Sequence, residues 1–225
     1  GSGICMATWH RPILNLRPGY HPFADKASVS GLRHFPADTH ILAWLENKRI
    51  EFDVVTDWEL HHEGASVLDG YKAILTTSHP EYHTLESLNA FRDYRNNGGN
   101  LIYVGGNGFY WRVALHPEIN GLIELRRAEG GLRAWAADPG EYYHAADGTY
   151  GGLWRRNGRP PNGLVGVGYT VQGNFEGTYY RRTDASYEAN LAWMFDGIED
   201  EAVGDFGFSG GGAAGYELDR AEPRL

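Results

Sequence analysis

The spacing of apolar residues over positions 36–104 alternates between that of helices and that of strands. It predicts, in chain order, a helix that starts at Pro36 and ends near Arg49, strands over 52–56 and 71–77, a helix between Thr84 and Gly98, and a strand over 100–104. Helices and short buried strands joined by short connections are typical of an α/β fold, with a parallel sheet flanked by helices.

Two loops follow predicted strands of this sheet, one over residues 78–83 and the other over residues 105–111. In open parallel sheets, ligands bind outside the carboxyl ends of the strands. We therefore expect the two loops to lie side by side at the ligand-binding edge of the sheet.

The rest of the chain is less regular. Four prolines interrupt residues 1–36, which we expect to be irregular, and beyond residue 125 we predict short strands, many glycines and a helix from Ser186 to Phe195. Neither a repeat nor a linker-like stretch divides the sequence, so we expect a single domain over residues 1–225 with a loop-rich C-terminal part. The chain starts with Gly1 rather than Met, so Gly1 and Ser2 could be a cloning remnant, or the chain could be a piece of something longer.

Composition and charge limit the classes of function that this chain can have. The chain has 20 Lys and Arg against 29 Asp and Glu, a net charge of −9, which disfavours binding to nucleic acid or to an anionic membrane surface. No apolar run approaches the ~20 residues that span a bilayer, and we expect a cytoplasmic protein. The single cysteine, Cys5, excludes an intrachain disulfide and a zinc site built on several thiolates. Glycines and aromatic residues are both abundant, a combination that suits close-walled small-molecule pockets.

His79 and Glu81 form the strongest candidate metal site. Residues i and i+2 of an extended segment point to the same side, so the imidazole and the carboxylate can converge on one ion. Pro80 between them restricts the backbone and lowers the cost of ordering two ligands. A histidine with a carboxylate suits iron, zinc or manganese. The alternative is that His79 caps the following helix, with Glu81 favoured in its first turn by the helix dipole.

Other polar residues are weaker candidates. Asn107 falls where several α/β hydrolases and amidotransferases place a nucleophile, and its amide could bind a carbonyl oxygen or simply tolerate a left-handed turn. Glu217 follows a glycine-rich stretch and could be a general acid or base, or form a salt bridge with Arg220. His61, His62 and Glu63 are more consistent with a solvent-exposed helix face.

Long sequence blocks resemble the C-terminal domain of the large (beta) subunit of the N,N-dimethylformamidase family. The blocks are residues 11–18, 78–82, 105–111, 142–144, 151–155 and 210–215. The resemblance implies a class I glutamine-amidotransferase-like (flavodoxin-like) fold without its cysteine. It also implies hydrolysis of N,N-dimethylformamide to dimethylamine and formate at a mononuclear iron held by a tyrosine, a histidine and a glutamate.

Carried onto this sequence, the resemblance assigns the metal ligands to His79 and Glu81 and the further site residues to Asn107 and Glu217. The tyrosine ligand is expected upstream of Gly1, so the resemblance implies that this chain is a fragment of a longer large subunit. Phenolate and carboxylate ligands are hard oxygen donors, which favours Fe3+. The family also implies a small (alpha) partner subunit and homo-oligomers of the large subunit.

A small, neutral, half-apolar amide requires aromatic walls rather than charged contacts. The candidate walls are Phe109, Tyr110, Trp111 and Trp154, all equally explicable as core residues. Two alternatives stay open: an enzyme for another N-substituted amide, and a non-catalytic amidotransferase-like domain used for binding or assembly.

Overall fold

The computed structural model describes residues 5–13, 16, 35–127, 138, 140–172, 178–205, 214 and 217–221. The helices are α1 (Phe35–Lys48), α2 (Asp57–Glu63), α3 (Leu85–Asn96) and α4 (Asn162–Val165), with short 3-10 helices at Gly64–Leu68, Asp184–Tyr187 and Ala192–Phe195. The strands are β1 (Met6–Thr8), β2 (Ala73–Leu75), β3 (Tyr82–His83), β4 (Asn100–Ile102), β5 (Trp111–Leu115), β6 (Leu122–Leu125), β7 (Val167–Gln172), β8 (Tyr180–Arg181), β9 (Ala202–Val203) and β10 (Glu217–Ala221).

Strands β2 and β4 pair in parallel, and helix α3 lies between them in sequence. The Thr84 side chain caps α3 by accepting a hydrogen bond from the Ser87 N–H. Leu85, Leu88, Phe91 and Tyr94 recur every three residues along α3. Leu88, Phe91 and Tyr94 are buried, whereas Leu85, the first residue of the helix, is 36% exposed. This β2–α3–β4 unit confirms the alternation of strand and helix predicted for this part of the chain.

Residues 52–56 form no strand, although their β-branched residues predicted one. Val54 is 65% exposed, and no strand among the described residues pairs with this segment. At its end, the Thr56 side chain accepts a hydrogen bond from the Glu59 N–H and starts α2 with a reciprocal capping box. The capping hydrogen bonds therefore determine the local conformation, because residues with strand propensity form a strand only where another strand can pair with them.

The predicted helix from Ser186 to Phe195 is two short 3-10 helices, Asp184–Tyr187 and Ala192–Phe195. Glu188 separates them because its backbone is extended, with φ −66° and ψ 143°. The Arg182 guanidinium lies over the rings of Tyr187 and Phe195, at 4.1 and 4.3 Å, and holds the two turns together.

The described sheets are small. One has four strands in the order β1-β6-β5-β3, in which only β3 and β5 are parallel, and the other three are the pairs β2-β4, β7-β10 and β8-β9. Parallel pairing thus occurs next to the two loops of interest, and antiparallel pairing elsewhere in the described sheets. The glutamine-amidotransferase-like topology and the single domain over residues 1–225 stay predictions.

The hydrophobic core joins the β2–α3–β4 unit to later parts of the chain. Its buried members are Leu60, Leu68, Leu88, Ala90, Phe91, Tyr94, Phe109 and Trp154. Phe109 comes from the loop over residues 105–111 and Trp154 from a later loop, so both loops are anchored by the same core. The loop over residues 105–111 is therefore fixed to the hydrophobic core through Phe109.

Several predictions fall on residues that the structure does not describe. The segment over residues 1–36, predicted to be irregular, lies largely outside the described residues, but its described part includes strand β1, which pairs with β6. The glycine-rich stretch before Glu217 also lies outside the described residues, except for Ala214. Within the described part of the chain, no helix has the length and apolar character needed to cross a bilayer.

Candidate metal centre

The loop over residues 78–83, named the His79 loop, lies beside the loop over residues 105–111, named the Asn107 loop. Four backbone hydrogen bonds join them: Gly106 N–H to Ser78 O at 3.0 Å, Phe109 N–H to Pro80 O at 2.7 Å, and the N–H groups of Tyr110 and Trp111 to Glu81 O at 3.0 and 2.8 Å. The expectation that the two loops are neighbours is therefore confirmed.

A tight turn around Pro80 brings His79 and Glu81 together. The Glu81 N–H donates to the His79 carbonyl at 2.8 Å, which closes a three-residue turn that suits the fixed φ of proline. His79 Nε2 lies 3.3 Å from Glu81 Oε2, and both side chains are mostly buried, at 20% and 15% exposure. The Ser78 N–H and hydroxyl donate to Asp38 Oδ1 of α1, at 2.8 and 2.5 Å, and fix the start of the loop.

The convergence of imidazole and carboxylate is thus confirmed, but a turn produces it rather than the extended segment that the sequence predicts. Helix α3 starts only after Thr84, so His79 is too far from the helix to cap it. The alternative of a capping histidine with Glu81 in the first turn is therefore wrong.

Gly105 must be a glycine for the two loops to approach this closely. A Cβ at this position would lie 2.6 Å from Pro80 Cδ and 2.6 and 2.8 Å from the carbonyl oxygens of Thr77 and Ser78. Two of these neighbours are backbone atoms, so they cannot yield without moving the His79 loop.

We expect Gly105→Ala to lower the free energy of unfolding by about 1–3 kcal/mol, the usual cost of forcing extra atoms into a packed region. Urea unfolding measures the effect. Gly163→Ala is the matched control, because a Cβ there meets nothing within 4 Å. Equal unfolding midpoints for the two variants would contradict the close packing described here.

Glu217 reaches the same place from the C-terminal part of the chain. Strand β10 alternates, with Glu217 and Asp219 half-buried and Leu218 and Arg220 exposed. Glu217 Oε2 lies 3.4 Å from the position that a Cβ on Gly106 would occupy, and His79 Nδ1 lies 3.6 Å from that same position. The carboxylate and the imidazole therefore border one small space, while Arg220 lies on the opposite face of β10.

Asn107 occupies the bend of its loop in a left-handed conformation, with φ 51°. This confirms the left-handed turn, a conformation that asparagine tolerates better than most residues. Its Oδ1 atom is buried and has no hydrogen-bond partner among the described residues. Leaving a buried polar atom unpaired costs about 1–3 kcal/mol. The bend therefore holds a polar group that is available to a bound molecule.

The four candidate aromatic walls differ in exposure. Phe109, Trp111 and Trp154 are each 1% exposed and pack in the interior, and the Trp154 indole donates to the His83 carbonyl at 3.2 Å. Tyr110 is half-buried and is the member of the set with accessible ring surface. Packing accounts for the first three residues, and their contact with a substrate stays a prediction.

A cavity of about 290 Å³ opens beside Tyr110. Tyr169 from β7 packs edge-on against Tyr110, with 5.5 Å between the ring centres. Burial raises the pKa of Tyr169, and the nearby Glu217 carboxylate raises it further. The cavity is also lined by Pro160, Pro161, Arg155 and Arg220. Glu217 is therefore close to Tyr169, a residue that lines the cavity.

Comparison with known proteins identifies the family of this chain. The family described as N,N-dimethylformamidase beta subunit-like, C-terminal, matches residues 1–225. The chain belongs to this family. The N,N-dimethylformamidase beta subunits of Alcaligenes sp and Paracoccus aminophilus are each 39% identical to it over 226 residues. The match covers 100% of this chain and 29% of each relative, so the chain spans less than a third of the length of these subunits.

Two other histidine groups have structural partners. His83 lies in β3, one residue before the capping Thr84, and is buried against Phe109 with 4.8 Å between ring centres. Its Nε2 lies 3.0 Å from the Pro80 carbonyl oxygen, so His83 helps to hold the turn at Pro80 in place. Helix α3 starts at Leu85, so His83 precedes the helix and is not part of its first turn. His61 also packs more closely than an exposed face implies, with Nδ1 3.2 Å from Glu86 Oε2.

The donor set fits a metal of the kind that the family resemblance implies. His79 and Glu81 offer one imidazole nitrogen and one carboxylate at a mostly buried turn, and iron accepts both donor types. Among the described residues, no three His, Cys, Asp or Glu side chains converge on one ion position. His79 and Glu81 would thus supply two ligands, and the third, a tyrosine upstream of Gly1, stays a prediction.

Sequence reasoning missed Tyr103 and Asp219, which border the site. The Tyr103 hydroxyl donates to Asp219 Oδ2 at 2.8 Å and accepts from the Gly108 N–H at 2.9 Å. Asp219 could have been found from its i, i+2 relation to Glu217 on a strand. The partnership with Tyr103, 116 residues earlier in the chain, has no signal in the sequence.

Proposed function

We propose that this chain supplies part of the active site of an iron-dependent amidohydrolase. Its substrates are N,N-dimethylformamide and other small N-substituted formamides, and the products from dimethylformamide are dimethylamine and formate. The observation that supports this most directly is the pairing of His79 with Glu81, with Glu217 close to His79 beside Gly106. Family membership agrees with it, since the relatives are named N,N-dimethylformamidase beta subunits.

His79 and Glu81 would hold the iron, together with a tyrosine from outside this chain. When bound, a ferric ion supplies Lewis acidity that polarises a carbonyl or acidifies water. The tight turn at Pro80 fixes the two protein ligands before the ion binds, which reduces the ordering cost of binding.

Asn107 would stabilise the reacting carbonyl. An amide is resistant to attack because resonance stabilises it, and negative charge develops on its oxygen as water adds to the carbon. A 180° rotation of the Asn107 side-chain amide presents either its oxygen or its N–H groups to the bound molecule. Donation from the N–H groups to the developing oxyanion is the role that lowers the barrier.

Glu217 would move the proton that the reaction requires. Water adds to the formyl carbon, the carbon–nitrogen bond breaks, and the nitrogen must take up a proton to leave as dimethylamine. Glu217 can accept that proton from water and deliver it to the nitrogen. Its place beside His79, across the side-chain-free Gly106, suits this transfer.

Tyr110 and Tyr169 would form the apolar entrance. Both rings line the cavity of about 290 Å³, a volume suited to a small amide. The small partner subunit, large-subunit oligomers and a cytoplasmic location remain part of the proposal. The direct test is dimethylformamide turnover and iron content of a full-length large subunit that carries this chain. A full-length protein that binds no iron and hydrolyses no amide would instead favour a non-catalytic binding domain.

We expect Asn107→Gly to lower kcat by about 10²–10³-fold, the usual cost of losing one oxyanion donor. Glycine tolerates the left-handed φ of this position, so the variant removes the amide without straining the bend. Steady-state kinetics with dimethylformamide measures the loss. Arg49→Gly is the matched control, because Arg49 also has a left-handed φ, of 57°, but ends α1 away from the site. A kcat within about threefold of the unaltered enzyme would refute the role of the amide.

A further inference from the structure

One hydroxyl group links the two segments that bring Asn107 and Glu217 to the site. Tyr103 follows β4 at the carboxyl end of the parallel pair. Its hydroxyl donates to Asp219 Oδ2 at 2.8 Å and accepts from the Gly108 N–H at 2.9 Å. Burial raises the pKa of Tyr103, so the phenol stays protonated and can donate and accept at once.

Each partner of this hydroxyl is a close neighbour of a proposed catalytic group. Gly108 directly follows Asn107, and its N–H is fixed by the Tyr103 oxygen. Asp219 lies two residues after Glu217 and on the same half-buried face of β10. Loss of the bond to Gly108 would therefore move Asn107, and loss of the bond to Asp219 would move Glu217, relative to the His79 loop.

The packing around Gly108 shows how closely this arrangement is fitted. A Cβ on Gly108 would clash with the ring of Tyr103, so the backbone of the bend packs directly against the aromatic ring. Phe109, the next residue, is fixed in the core at 1% exposure. The bend is thus held by the core on one side and by Tyr103 on the other.

We infer that Tyr103 is a positioning residue of the proposed hydrolase, which sets the geometry between Asn107 and Glu217 through Gly108 and Asp219. This inference rests on the proposed function. Tyr103 acts on catalysis through its two partners and needs no contact with the substrate. Small displacements of catalytic groups, on the order of 1 Å, can cost about 10²-fold in rate.

The test uses the full-length large subunit with its partner subunit and measures kcat and KM for dimethylformamide. We expect Tyr103→Phe to lower kcat by about 10–100-fold with KM changed less than about twofold, because the catalytic groups shift while the substrate entrance stays intact. Tyr94→Phe is the matched control, since the Tyr94 hydroxyl also donates a part-buried hydrogen bond, to the Tyr71 carbonyl at 2.8 Å, away from the site. It should lose similar stability and keep its kcat.

Asp219 provides the second variant pair. Asn keeps an oxygen that accepts from the Tyr103 hydroxyl, so Asp219→Asn should stay within about threefold of the unaltered kcat. Leu has a similar size and no acceptor, so Asp219→Leu should lose as much as Tyr103→Phe. This pair decides the matter if Tyr103→Phe does not fold.

Any of three results would overturn this inference and leave the proposed function standing. They are an unchanged kcat in Tyr103→Phe, a loss of kcat in Tyr94→Phe equal to that in Tyr103→Phe, and equal kcat values in the Asn and Leu variants of Asp219. Absence of amide turnover by the unaltered enzyme would overturn the proposed function and this inference with it. The two failures are therefore distinguishable.

Discussion

Replacement of His79 by alanine is expected to remove iron from the full-length large subunit and to abolish its amide hydrolysis. Mutating residues that only support a metal ligand typically costs about 10–100-fold in affinity or activity, so loss of a ligand itself should cost more than about 100-fold. Glu81→Gln should behave alike, because the amide carries no charge to balance the ion. Elemental analysis of the purified subunit and its dimethylformamide turnover measure the two effects.

The chain offers a matched control for this experiment. His61 Nδ1 lies 3.2 Å from Glu86 Oε2, almost the same separation as the 3.3 Å between His79 and Glu81. His61→Ala and Glu86→Gln should therefore leave both iron content and kcat unchanged. If the His79 and Glu81 variants keep their iron, or if the His61 variant loses it, the assignment of the metal site is wrong.

Local chemistry explains which parts of the site could be predicted from the sequence. His79, Pro80 and Glu81 are consecutive, and a single hydrogen bond across proline brings their side chains together. The left-handed bend at Asn107 likewise depends on a few residues and on the glycines beside it. Features of this kind are encoded within one turn of the chain.

Contacts between distant segments are the part that the sequence does not reveal. The sequence makes Glu217 a candidate site residue, but Glu217 and Asp219 reach the site because β10 pairs with β7, and neither strand has a distinctive pattern. The strand predicted over 52–56 fails for the same reason, since β-branched residues form a strand only where a neighbour can pair with them. Phe109, Trp111 and Trp154 show a further limit of prediction from the sequence. Aromatic residues are favoured both in a buried core and in the wall of a pocket, so their residue type does not distinguish the two.

Glu217→Gln is expected to lower kcat by about 10²–10⁴-fold, the usual contribution of a positioned general acid or base. Glutamine keeps the size of the side chain but neither accepts nor delivers the proton that the leaving amine needs. Glu217 is not one of the two proposed protein ligands, so iron content should stay normal, which separates this variant from His79→Ala and Glu81→Gln. Steady-state kinetics and elemental analysis on the same preparation measure both quantities.

Glu201→Gln serves as the control for loss of one carboxylate, because Glu201 forms an exposed ion pair with Arg181 at 2.7 Å. Exposed pairs contribute little, about 0–1 kcal/mol, so this variant should keep its kcat. A Glu217→Gln enzyme that turns over dimethylformamide at the unaltered rate would show that another group moves the proton. Loss of iron from Glu217→Gln would instead make Glu217 a ligand, and the third donor would then lie on β10 rather than upstream of Gly1.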